Sequence, residues 1–141
     1  MPEPSAAART PGAKRAGAGE HHFELTKLDR IMGGPDYSTA NGACVEGERM
    51  MVALMRMPAG TGAAPHSHPN EQWIFILEGT FRAEIGGRAV EAKPGSVLYI
   101  PADTVHSGQA SQDADVVFFT VKDTSHGLHG FKAADGAISG G

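Results

Sequence analysis

The chain has 141 residues, of which 40% are hydrophobic and 20% charged, with a formal net charge of -4. That length suits one domain with one hydrophobic core and argues against a second. The mild acidity, with no basic cluster beyond Arg9, Lys14 and Arg15, excludes a nucleic-acid footprint.

Residues 1–20 are rich in Ala, Gly and Pro and read as a flexible tail. No apolar stretch follows the basic residues, so a secretory leader is not expected. The longest apolar runs, such as Met50 to Met55 and Trp73 to Leu77, fall far short of the roughly 20 residues that span a bilayer. The expected location is therefore the cytoplasm. Cys44 is the single cysteine, which rules out an intramolecular disulfide, and it reads as a half-buried strand residue.

From Phe23 onward short β runs alternate with Gly and Pro. Strands are predicted over residues 23–28, 49–57, 72–77, 81–85, 88–91, 97–100, 105–110 and 116–122, within a domain over 21–132 and before a second tail over 133–141. Glu78-Gly79 and Gly86-Gly87 read as turns, the second a two-residue hairpin connection. Side chains alternate between the two faces of a strand. In Phe81 to Ile85 the odd positions face a core. In Val116 to Lys122 the charge of Lys122 is taken to mark the outer face, so that Val117, Phe119 and Val121 point inward. The strand from Gln72 is apolar on both faces after its first residue. Its face with Trp73, Phe75 and Leu77 needs a cover, either the N-terminal strand or a second subunit in a homodimer.

Chemistry concentrates in Pro65-His66-Ser67-His68-Pro69-Asn70-Glu71-Gln72. Two histidines at i and i+2 on an extended chain project from one face, close enough to share an ion. Pro69 pushes His68 toward extended backbone. Imidazole is the commonest protein ligand for metals of this class.

The spacing resembles the two motifs of the cupins. Their first motif, Gly, five residues, His-x-His, three or four residues, Glu, six residues and Gly, becomes here Gly60, His66-x-His68, Gln72 and Gly79. Their second, Gly, five residues, Pro-x-Gly, two residues, His, three residues and Asn, becomes Gly95, Pro101-x-Asp103, His106 and Ala110. The resemblance covers roughly residues 45–122 and implies an all-β fold, a double-stranded β-helix or jelly-roll barrel. It also implies one divalent metal ion, whether Fe, Mn, Ni, Co, Cu or Zn, held by His66, His68, Gln72 and His106. Three positions depart from the pattern: Gln72 replaces Glu, Asp103 replaces Gly, and Ala110 replaces Asn. Gln72 is preferred over the adjacent Glu71 because its spacing from Gly79 fits, and a neutral carboxamide leaves the full charge on the ion.

A wall of Met55, Met57, Ile74, Ile76, Val117, Phe119 and Val121 is expected around this site, with Tyr99 either a core residue or a hydrogen-bond donor to the site and so a candidate catalytic group. His126 and His129 read as surface or lid residues, and His21 and His22 as solvated. The function expected is a metal-dependent enzyme of the dioxygenase, lyase or isomerase type, acting on a small carbonyl, enol or sugar-derived substrate chelated to the ion. A non-catalytic module that binds or senses a small molecule or sugar is the alternative. The His-Ser-His-Pro run also looks like the cupins of pectin breakdown. Those carry an inward Asp on the last strand, where this chain has Phe119, so their activity is not carried over.

Overall fold

The computed structural model describes residues 9–133. It contains twelve strands: β1 Lys14–Arg15, β2 Ile31–Met32, β3 Asn41–Glu46, β4 Met50–Met57, β5 Gly62–Ser67, β6 Gln72–Glu78, β7 Phe81–Ile85, β8 Arg88–Ala92, β9 Val97–Ile100, β10 His106–Ala110, β11 Val116–Asp123 and β12 Phe131–Lys132. One sheet runs β1-β3-β4-β11-β6-β9, with β2 also paired to β3, and the other runs β12-β5-β10-β7-β8. The two sheets close over a core that includes Met51, Met55, Met57, Ile74, Ile76, Phe81, Ile100 and Phe118. This is the all-β jelly-roll barrel that the motif spacing implies.

Turn chemistry places the strands. Gly79 sits between β6 and β7 at φ 80°, and a Cβ there would lie 2.2 Å from the Asp115 carbonyl oxygen, so only glycine fits. Gly86 and Gly87, at φ 56° and 82°, make the β7–β8 hairpin connection with both central residues left-handed. Asp103 has φ 61°, the conformation for which the motif uses glycine, and Asp is among the few residues that tolerate it.

Three expectations are corrected. Over 23–28 there is no strand but a 3-10 turn at Leu25–Lys27, closed by Lys27 N–H to Glu24 O and Leu28 N–H to Leu25 O; the segment pairs with neither sheet. β3 and β5 are strands that composition conceals, because Gly-Ala-Ala-Pro and Asn-Gly-Ala favour strand weakly and are held by cross-strand pairing. The N-terminal tail over 1–20 also does not hold from Thr10 to Ala16. β1 pairs parallel to β3, and Thr10 is buried, its N–H donating to Glu46 Oε2 and its Oγ1 accepting from Leu128 N–H. Residues 1–8, and 134–141 of the expected C-terminal tail, lie outside the described residues.

Candidate metal centre

β5 and β10 pair antiparallel with His66 opposite His106, and His68 follows two residues after His66, just beyond the strand end. The three imidazoles are buried, and their candidate ligand atoms lie within 4.8 Å of one another. Among the described residues this is the one such cluster of histidine, cysteine and acidic side chains.

The hydrogen bonds fix the chemistry of each ring. His66 Nδ1 lies 2.7 Å from Ala64 O, His68 Nδ1 2.7 Å from Asn70 O, and His106 Nδ1 2.8 Å from Thr104 O. A carbonyl only accepts, so every Nδ1 carries the proton and every Nε2 presents a lone pair. Burial holds the rings neutral, pushing His66 and His68 down to about 3 and His106 down to about 4. His66 is lowered further by neighbouring His106, and His68 by Lys122. His106 Nε2 is buried without a hydrogen-bond partner.

Gln72 completes the set in an unusual relation to His68. Thr120 Oγ1 donates to the Trp73 carbonyl and therefore accepts from Gln72 Nε2, 2.8 Å away. That orients the carboxamide so that Oε1 points at His68 Nε2 across 3.0 Å. Two acceptors facing each other at this distance repel unless something positive lies between them. At that separation both atoms could reach one cation at ordinary ligand distances of about 2.0 to 2.2 Å, so the pair would suit a shared ion. A divalent ion fits the residues present: three neutral nitrogens, one of them, His106 Nε2, buried without a partner, and one neutral oxygen.

The cavity beside the cluster holds about 70 Å³ of free space. Tyr37 stacks on His66 with ring centroids 4.0 Å apart, and its hydroxyl accepts from Gly130 N–H. Asn70 is fully buried and its Nδ2 donates to the carbonyls of Asp123, His126 and Gly127. Lys122 Nζ donates to Leu128 O. These bonds fold the 123–130 segment over the cavity, with Leu128 inside it.

A family profile described as Cupin domain matches residues 53–122. The chain belongs to the cupin family. This cupin is 40% identical over 68 residues to a bifunctional lysine-specific demethylase and histidyl-hydroxylase of Branchiostoma floridae, a match covering 45% of the chain and 11% of that protein. It is 30% identical over 64 residues to a 5-nitrosalicylic acid 1,2-dioxygenase of a Bradyrhizobium species, covering 45% of the chain and 31% of the relative. The match thus spans a minor part of both curated relatives. Among solved structures, the polyketide cyclase of Streptomyces resistomycificus superposes with a TM-score of 0.70 at 17% identity, covering 86% of the chain and 90% of that structure. At that identity the likeness speaks for the fold.

The fold brings His66, His68, Gln72 and His106 together, and Met55, Met57 and Ile74 line the cavity. Ile76 is fully buried in the core but does not reach it. Four other expectations are corrected. On β11 the phase is opposite to that expected: Phe118, Thr120 and Lys122 line the cavity. Val117, Phe119 and Val121 take the other face, opposite Arg56, Leu54 and Val52 of β4. The misleading signal was Lys122, whose charge marks no outer face because the side chain is buried. The comparison of Phe119 with an inward acid therefore used the wrong position, although the inward neighbours Phe118 and Thr120 are not acids either. Tyr99 is 42% exposed on the outer face, donating to Glu71 Oε2 and packing on Trp73, so it is no candidate for catalysis in this cavity.

His126 packs against Phe131 and His129 bonds the Met32 carbonyl, both apart from the cluster. His21 and His22 are exposed. Cys44 is fully buried, and burial pushes its thiol up to about 12, which removes it as a nucleophile. Sequence reasoning missed Tyr37, Asn70, Thr120 and Lys122. Thr120 and Lys122 share the parity of Gln72 across the β6–β11 ladder, where Lys122 pairs with Gln72 and Thr120 with Ile74.

Proposed function

We propose that this cupin is a metal-dependent enzyme of the dioxygenase, lyase or isomerase type, with His66, His68, Gln72 and His106 as ligands and a small oxygenated carbonyl, enol or sugar-derived molecule as substrate. The observation that carries the reading is the Gln72 oxygen aimed at the lone pair of His68 across 3.0 Å, in a buried cluster where His106 Nε2 is also without a hydrogen-bond partner. The activities of the two relatives, one a demethylase and hydroxylase and the other a dioxygenase, support the direction.

A bound divalent ion supplies Lewis acidity toward a chelating oxygen pair. The chain's own residues do the rest. The three imidazoles and the carboxamide are all neutral donors, so the ligand set removes no charge from the site. Met55, Met57, Ile74 and Phe118 exclude water and lower the local dielectric. Tyr37 holds the His66 ring in plane by stacking, and Thr120 holds the carboxamide. The imidazoles keep their protons on Nδ1, where backbone carbonyls accept them, so none of the three is free to shuttle protons.

The protein is read further as a cytoplasmic homodimer. Among the described residues no helix is long and apolar enough to cross a membrane. Trp73, Phe75, Leu77, Val97 and Tyr99 form an exposed stripe over β6 and β9, with β9 at the sheet edge; Phe119 and Val121 extend it onto β11. Such a patch on one sheet face suits a self-complementary contact.

Turnover is tested by reconstituting metal-free protein with Fe, Mn, Ni, Co or Zn and screening β-dicarbonyl and uronate-derived substrates with and without oxygen. Metal-restored turnover supports the enzyme. Ligand binding without turnover under every condition leaves the binding module instead.

A further inference from the structure

Lys122 plays no part in the ligand set, yet it is 4% exposed and lines the cavity together with His66, Gln72 and His106. An ammonium carries three donors, and the Leu128 carbonyl takes one. Among the described residues no carboxylate comes within ion-pair distance of it. The inward acid in the same cross-strand row, Glu46, reached through Met51, is engaged by the Thr10 N–H and by Arg15. The thiol of Cys44 stays protonated and offers no counter-charge. Burial pushes the Lys122 ammonium down to about 7, and a carboxylate entering the cavity would restore its charge, because a buried cation is costly unless an opposite charge pairs with it.

We propose that Lys122 anchors a carboxylate of the ligand, so that the cavity selects small oxo- or hydroxy-carboxylic acids whose other oxygens face the histidine cluster. Lys122 and Gln72 are directly opposed on β11 and β6 and both side chains enter the cavity, so one short molecule can touch both. The free space of about 70 Å³ is small, which favours acids of a few carbons. The inference rests on the reading of the cavity as a small-molecule site and adds the charge of what enters it.

The test is calorimetric titration of metal-free protein with pyruvate and with its neutral amide, pyruvamide. Wild-type protein should bind pyruvate at least about tenfold more tightly, the scale of one charge-assisted hydrogen bond. K122R should keep that preference and K122M should lose it. A lysine that only holds the Leu128 carbonyl gives no preference in the wild type, and that result overturns the proposal, as does a K122M protein that still prefers the anion. The wild-type comparison decides even if K122M does not fold. Cobalt uptake, read separately from its absorption spectrum, keeps the two readings apart. Pyruvate preference without cobalt binding removes the metal proposal alone; cobalt binding without the preference removes this one alone.

Discussion

Gln72 Oε1 and His68 Nε2 meet acceptor to acceptor across 3.0 Å because Thr120 takes the other end of the carboxamide. The relation has a direct consequence for metal affinity. Gln72→Glu adds a negative charge at the same point and should raise Zn affinity by roughly tenfold or more. Competition with a chromophoric chelator measures it, and an unchanged or weaker affinity argues against a ligand at residue 72.

Thr120→Val removes the hydroxyl that orients the carboxamide while keeping the shape of the side chain. Outer partners of metal ligands typically contribute 10- to 100-fold in affinity, so a loss of about that size is expected in the same assay. A variant with wild-type affinity would show that Gln72 needs no such orientation.

Stability should fall with acid in a defined window. The three imidazoles sit at about 3 to 4 in the fold, against a value near 6.5 when unfolded. Between those values the unfolded chain binds more protons, so stability rises with pH there and is lost as pH drops from about 6.5 toward 3. The slope is at most about 1.4 kcal/mol per pH unit for each histidine. Urea midpoints of metal-free protein at pH 7, 6, 5 and 4 should descend, and a flat series contradicts burial of neutral rings.

Gly62→Ala should break the site through the backbone. A Cβ there would lie 2.2 Å from Gly108 O on β10, the strand that carries His106. Forcing β5 and β10 apart is expected to cost about 3 kcal/mol or more and to abolish metal uptake. Thermal melts followed by circular dichroism, with metal binding on the same samples, test both parts.

Trp73→Glu places a charge in the centre of the exposed stripe on β6. Sedimentation should show a dimer for the wild type and a monomer for the variant, with the same melting curve at low concentration. A monomeric wild type dismisses the dimer.

The convergence of His66, His68, Gln72 and His106 was legible because the motif spacing sets residue type and position at once, and the motif glycines fix the turns between strands. The barrel wall was legible where alternation was unambiguous, as at Met55, Met57 and Ile74. It failed on β11, where one charged residue was assigned to solvent and the error flipped every neighbour on that strand. Lys122 belongs inside because the 123–130 segment folds over it and Leu128 offers a carbonyl, a contact that no local pattern encodes. β5 and β1 were hidden for a related reason: their residues have little intrinsic preference for strand and take that form only beside β10 and β3.

Each imidazole is tethered to a main-chain oxygen two positions away along the chain, whereas the surrounding apolar lining is gathered from distant strands. The two subsystems are therefore separable. Exchanging Met55, Ile74 or Phe118 would reshape the cavity while the three Nε2 atoms stay pointed at the same spot, so the lining can change without disturbing the histidine cluster.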